Sequence, residues 1–137
     1  MRPKRQNTVF ISGWIIGAEW RNHETINEQV LAVTIRSDRA KYGGHHTVYF
    51  RNDLALRLFM ALSVFQESAE RNPYRNIEAI PFERMDDYFL MVAVHGVLYG
   101  NDVFATYMAC PNLSGRQRWL VDERVENFRR QRGAFRP

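Results

Sequence analysis

Between His46 and Leu62 the chain changes its hydrophobic repeat without a break. His46-Thr-Val-Tyr-Phe-Arg51 is short, β-branched and aromatic, the make-up of a strand. From Asn52 the residues are helix formers, and Leu54, Leu58, Ala61, Leu62 and Phe65 recur at helical spacing along one face. Asn52 suits an N-cap, and Asp53 suits the positive end of the helix dipole. Pro73 places the helix end at Asn72, because the residue before a proline is biased away from helix. A strand that runs straight into a helix of roughly five turns needs cover for both. The remainder of the chain reads mainly as strands that supply it.

Residues 7–21 read as one long strand interrupted by Gly13 and Gly17, with Trp14 and Trp20 flanking the interruption. Glycine inside a strand marks a bulge or a sharp bend, which a small barrel needs in order to close. A polar loop covers residues 22–28. A second strand covers residues 29–36, with Val30, Ala32 and Thr34 on one face and Leu31, Val33 and Ile35 on the other. Residues 37–44 form a basic loop with Tyr42 before Gly43-Gly44, and the third strand and its helix follow. Residues 73–87 carry two prolines and no period, so they read as a long surface connection. Residues 88–99 form a strong fourth strand, Gly100-Asn101-Asp102 signals a hairpin, and residues 103–110 form the fifth strand, closed by Pro111. A short helix is expected over residues 116–130, with Leu120, Val121, Val125 and Phe128 on one stripe and Gly133 beyond its end. Residues 129–137 read as a mobile basic end.

The order β-β-β-α-β-β, with the helix between the third and fourth strands, is the layout of the five-stranded OB-fold barrel, an all-β class. The expected organisation is a basic N-terminal arm at residues 1–6, the OB-fold domain at residues 7–110, and a basic C-terminal extension with a short helix at residues 111–137. A chain of 137 residues suits one such domain with a modest core. Its 45% hydrophobic and 13% aromatic content argues against disorder, and no apolar run reaches the length of a membrane span. No apolar signal core follows the basic start, and the single Cys110 fits a reducing compartment, so a cytoplasmic protein is expected.

The net charge of +4 is unevenly laid out. Residues 1–6 hold three basic groups and no acids, and residues 111–137 hold seven basic groups and three acids. The middle is left near −3, with its cations early and its acids late. Only two of the nineteen cations are Lys. Arginine grips phosphate with two prongs and stacks on rings, so the bias suits nucleic acid, although a GC-rich genome gives the same bias.

Several stretches resemble the bacterial single-stranded DNA-binding protein family. Asn7-Thr-Val-Phe-Ile-Ser-Gly13 resembles its opening strand, and Leu31-Ala-Val-Thr-Ile-Arg-Ser37 its second. His45-His-Thr-Val-Tyr-Phe-Arg-Asn-Asp-Leu-Ala55 is similar to its third strand and helix start, and Val92-Ala-Val-His-Gly-Val-Leu98 to its fourth strand. The likeness spans roughly residues 7–109, through short motifs. It implies a divergent, phage- or plasmid-like member that wraps single-stranded DNA as a homo-oligomer, dimer or tetramer, in replication, recombination or repair, with replication proteins as further partners. It also places Phe50 among the stacking aromatics. The chain departs from the family in ending on Arg129-Arg-Gln-Arg-Gly-Ala-Phe-Arg-Pro137 where the family carries an acidic tail.

Binding a single strand takes flat rings for bases and cations for phosphates along one groove. The ring candidates are Trp14, Trp20, Tyr42, Tyr49, Phe50, Tyr99 and Tyr107, and the cation candidates are Arg21, Arg36, Arg39, Lys41 and Arg51. With Val48 inward, Tyr49 and Arg51 point outward and Phe50 inward unless a bulge intervenes, which stands against the family placement of Phe50. Tyr42 and Trp20, beside Arg39, Lys41 and Arg21, are the strongest pair. Phe50, Phe89 and Phe104 also read as core, the commoner fate of strand aromatics.

No metal site is expected: His45 and His46 point to opposite faces of a strand, and His23, His95 and Cys110 lack ligand spacing. Ser12, Ser37 and Ser114 sit in no nucleophile motif, so neither an enzyme nor a cofactor is expected. The sequence reading is therefore non-sequence-specific single-stranded DNA binding by stacking and Arg/Lys contacts. An RNA-binding OB module and an OB-fold protein-interaction scaffold are the alternatives.

Overall fold

A computed structural model describes residues 7–38 and 44–134. Five strands, β1 (Thr8–His23), β2 (Glu28–Ser37), β3 (His45–Phe50), β4 (Met91–Tyr99) and β5 (Asp102–Ala109), close one sheet in the order β1-β2-β3-β5-β4. Helix α1 (Asn52–Ser68) lies between β3 and β4 in the chain, followed by two 3-10 turns and the short α2 (Met85–Tyr88), and α3 (Gly115–Ala134) follows β5. Every pairing is antiparallel except β3 with β5, where Val48 and Tyr49 lie beside Val103 and Phe104. That parallel seam completes the closure.

Strand β1 serves two neighbours. Its first half, from Thr8 to Trp14, pairs with β4, and its second half, from Gly13 to His23, pairs with β2. The register shifts between Ile15 and Gly17, inside the stretch where the glycines predict a bend. Gly13 is required by close approach: a Cβ there would meet the Arg36 carbonyl oxygen at 1.9 Å. Gly100 turns the β4–β5 hairpin with φ +64°, a conformation open to glycine at no steric cost.

Inside the barrel, Leu31, Val33 and Ile35 of β2 meet Val48 and Phe50 of β3 and Val92 and Val94 of β4. β3 carries no bulge, so Phe50 is inward and fully buried, and alternation overrides the family placement. Helix α1 closes this core with Ala55, Leu58, Ala61, Val64 and Phe65. Its ends differ from expectation. Asn52 is the first helical residue, at φ +52°, and extended Arg51 occupies the cap with no side-chain bond. Asparagine is among the few side chains that tolerate this conformation. The helix stops at Ser68, before the proline signal can act, and the Glu70 N–H donates to the Asp87 carbonyl at 3.2 Å. A tertiary bond thus draws the chain off the helix axis.

The connection over residues 73–87 is more than a surface loop. It inserts Ile80 and Met85, both buried, against Trp14 to make a second small core with Phe82, Tyr88 and Phe89 at its edge. Helix α3 is longer than expected. Ser114 and Gln117 cap it reciprocally: the Gln117 N–H donates to Ser114 Oγ (3.1 Å), and the Ser114 N–H donates to Gln117 Oε1 (2.8 Å). Residues 129–134 belong to this helix, and Gly133 lies within it rather than beyond it. Val121 and Val125 are buried in the main core with Leu120 beside them, whereas Phe128 remains 39% exposed. Arg124 pairs with Glu67 and Arg129 with Asp53, so these two arginines of α3 meet acids of α1.

Candidate nucleic-acid interface

Three candidate residues are interior, which corrects the expectation that they face a ligand. Trp14 is 6% exposed, and its Nε1–H donates to Asp86 Oδ1 at 2.7 Å while its ring packs on Phe82. Arg36 is buried beside it. Its Nη1 donates to the Ile77 carbonyl at 2.7 Å, and its guanidinium lies 4.8 Å from the centre of the Phe82 ring. Both side chains project from the outer surface of the sheet, and the 73–87 connection folds over that surface and encloses them. Phe50 fills the barrel interior.

Trp20 is 42% exposed but lies apart from its neighbour Arg21. It pairs with Leu31 across the β1–β2 ladder, and its ring meets Phe59 of α1 at 5.7 Å. It lines a groove with Ile16, Leu62 and Phe89 under the barrel. Arg39, Lys41 and Tyr42 lie outside the described residues.

Of the remaining candidates, Tyr49, Tyr99, Arg21 and Arg51 gather at the end of the barrel where two hairpins meet, and Tyr107 lies elsewhere. Tyr49 is half-buried, edge-on to His23 at 4.9 Å and beside Phe104 at 5.5 Å. Tyr99 stands edge-on to Phe104 at 6.2 Å and is 59% exposed, so the ring path runs out to the tip of the β4–β5 hairpin. His23 closes β1 and Asp102 opens β5, and the two side chains join the hairpins through Nε2 and Oδ2 at 2.8 Å. Arg21 is exposed and pairs with Glu19. Arg51 is exposed and grips Glu28 through Nε and Nη2 at 2.7 to 3.0 Å. Surface pairs of this kind are worth at most about 1 kcal/mol, so both guanidiniums can exchange a carboxylate for a phosphate. His23 is the member of this group that sequence reasoning missed. Phe104 is read as core, the usual fate of strand aromatics, and it is indeed buried beneath Tyr49 and Tyr99, whereas His23 becomes informative only once Asp102 is placed beside it.

A second row of rings crosses the outer face of β1, β4 and β5. Phe10 and His95 are 5.0 Å apart and His95 and Tyr107 6.0 Å apart, on residues paired across the ladders. Between Thr8 and Ile16, Met91 and Tyr99, and Val103 and Ala109 there is no Lys, Arg, Asp or Glu. The two rows therefore differ in chemistry: one has arginines beside it, and the other is uncharged. Phe10 belongs to the parity of Thr8 and Ser12, an alternation that marks it as outward.

Among the described residues no three His, Cys, Asp or Glu side chains are grouped to hold a metal ion. Burial pushes the Cys110 thiol up to about 11, against the smaller opposing influence of Arg118.

No family model matches the chain, and no curated protein matches it. Among solved structures it is similar to the mitochondrial single-stranded DNA-binding protein Rim1 from S. cerevisiae, at 14% identity and TM-score 0.43, over 77% of this chain and 94% of that one. Another crystal form of Rim1 aligns at 12% identity and TM-score 0.44, over 77% of this chain and 96% of that one. A small single-stranded DNA-binding protein from Mycoplasma pneumoniae aligns at 12% identity and TM-score 0.42, over 79% of this chain and 97% of that one. At these identities no site residue is carried over from them.

Proposed function

We propose that this chain is an OB-fold protein that binds single-stranded DNA without strong sequence preference, in replication, recombination or repair, and that its role is binding rather than catalysis. One observation carries the reading. The end of the barrel where the two hairpins meet brings the half-buried ring of Tyr49 and the exposed ring of Tyr99 together with two exposed arginines, Arg21 and Arg51, in partnerships that a phosphate can replace. Bases stack on the rings and phosphates displace the carboxylates, with counterion release adding to the affinity. Arg39, Lys41 and Tyr42 extend the track in this reading.

The uncharged row of Phe10, His95 and Tyr107 is assigned the other task, seating a second copy of the chain, because an exposed aromatic face without charge suits protein rather than phosphate. A cytoplasmic location belongs to the same reading.

Titration of a fluorescent oligo-dT tests it. Binding that weakens linearly in log affinity against log salt is expected, and no binding at low salt would overturn it. Competition with oligo-rU separates DNA from RNA as the preferred strand. Light scattering over a concentration series tests the assembly, which a Tyr107→Glu substitution would reduce to the single chain.

A further inference from the structure

At the meeting of the two hairpins there is a cavity of about 290 Å³ lined by Arg21, Asn22, His23, Glu24, Tyr49 and Asp102. This is the lower edge of ligand-pocket size and suits one flat ring system rather than a length of strand. His23 is buried, and its Nδ1 has no hydrogen-bond partner among the described residues. A proton on Nδ1 would be an unpaired buried donor, so the arrangement that satisfies the ring carries its proton on Nε2 and donates it to Asp102 Oδ2 at 2.8 Å. Asp102 is thus fixed in direction by a residue from the opposite hairpin. Its other oxygen, Oδ1, has no hydrogen bond to a described residue, and an ionised carboxylate accepts only.

An oriented acceptor pair beside a ring selects among bases. Guanine alone carries two N–H groups side by side, N1–H and N2–H, which match the two oxygens of a carboxylate. Adenine and cytosine set one donor beside an acceptor nitrogen, and thymine flanks its one N–H with two carbonyls that a carboxylate repels. Tyr49 supplies a ring for stacking, and Arg21 supplies donors that suit guanine O6 and N7.

We propose that the cavity between the β1–β2 and β4–β5 hairpins is a guanine subsite, in which Asp102, held by His23, receives N1–H and N2–H of one base of the bound strand. The proposal rests on the strand-binding reading and adds a preference at one position of an otherwise indifferent track.

The test compares the intact protein on three labelled oligomers of equal length: oligo-dT, the same oligomer with one central guanine, and the same oligomer with inosine, which lacks the 2-amino group, at that place. Guanine should tighten binding roughly fivefold or more over thymine, the discrimination of a two-pronged base contact, and inosine should lose most of the gain. In an Asp102→Asn variant the guanine-to-thymine ratio should fall towards one, a ratio read within the variant itself. Equal affinity for the guanine and thymine oligomers, or a preference that inosine keeps in full, would overturn the subsite while leaving strand binding in place. Absence of binding to all three would overturn strand binding and the subsite together.

Discussion

His23 and Asp102 stand 79 positions apart in the chain, and His23 Nε2 lies 2.8 Å from Asp102 Oδ2. The pair ties the end of β1 to the start of β5, so the two hairpins that border the ring path of Tyr49, Phe104 and Tyr99 are held together. Its position makes the outer face of the barrel a shaped groove rather than two separate loops.

Tyr49→Ala should weaken oligo-dT binding by about 1–3 kcal/mol if a base stacks there. Trp14→Phe should leave that affinity unchanged and lower stability by about 1 kcal/mol, because the bond to Asp86 is removed. Anisotropy titration and chemical denaturation on both variants separate the two effects. The reverse pattern would exchange their roles.

Arg36→Met should destabilise the fold by about 2–3 kcal/mol, because the Ile77 carbonyl is left without its charged donor. Urea denaturation reads the change, and the affinity per folded molecule should not move. A drop in affinity at full stability would return Arg36 to the binding track.

Replacing Arg39 and Lys41 together with Ala should lower the slope of log affinity against log salt by about 0.7 for each phosphate of the single strand that is no longer neutralised. An unchanged slope would route the strand away from the β2–β3 loop.

Cutting the chain after Arg130 keeps Val121, Val125 and the Arg129–Asp53 pair, so the fold should persist. It removes Arg132 and Arg136, and oligo-dT binding at low salt should weaken without their long-range attraction. Full affinity in the shortened protein would leave α3 a structural role alone.

Cys110 should react slowly with alkylating reagents in the folded protein at pH 8, since burial raises its thiol from 9.0 to about 11 and only the thiolate attacks. The folded state holds this proton more firmly than the unfolded one. Stability should therefore decline as pH rises from 9.0 towards about 11, and a Cys110→Ala variant should lack that part of the decline.

Local rules determined a good deal of this protein in advance. The switch of period at Asn52 marked where β3 gives way to α1, Gly13 and Gly17 marked the bend that lets β1 serve two neighbours, and Gly100 marked the last hairpin. Each follows from side-chain periodicity or from space around one backbone position, which neighbouring residues already carry. Alternation likewise set Tyr49 outward and Phe50 inward. Which outward side chains stay accessible was decided only by tertiary structure. Trp14 and Arg36 leave the sheet on its outer face, yet an aperiodic segment some forty or more residues further on lands on them and buries both. His23 gains a partner only when β5 closes against β3 and brings Asp102 to it. Facing is a property of the strand itself, whereas exposure depends on what distant chain comes to rest there, and a segment without a period carries no local sign of where that will be.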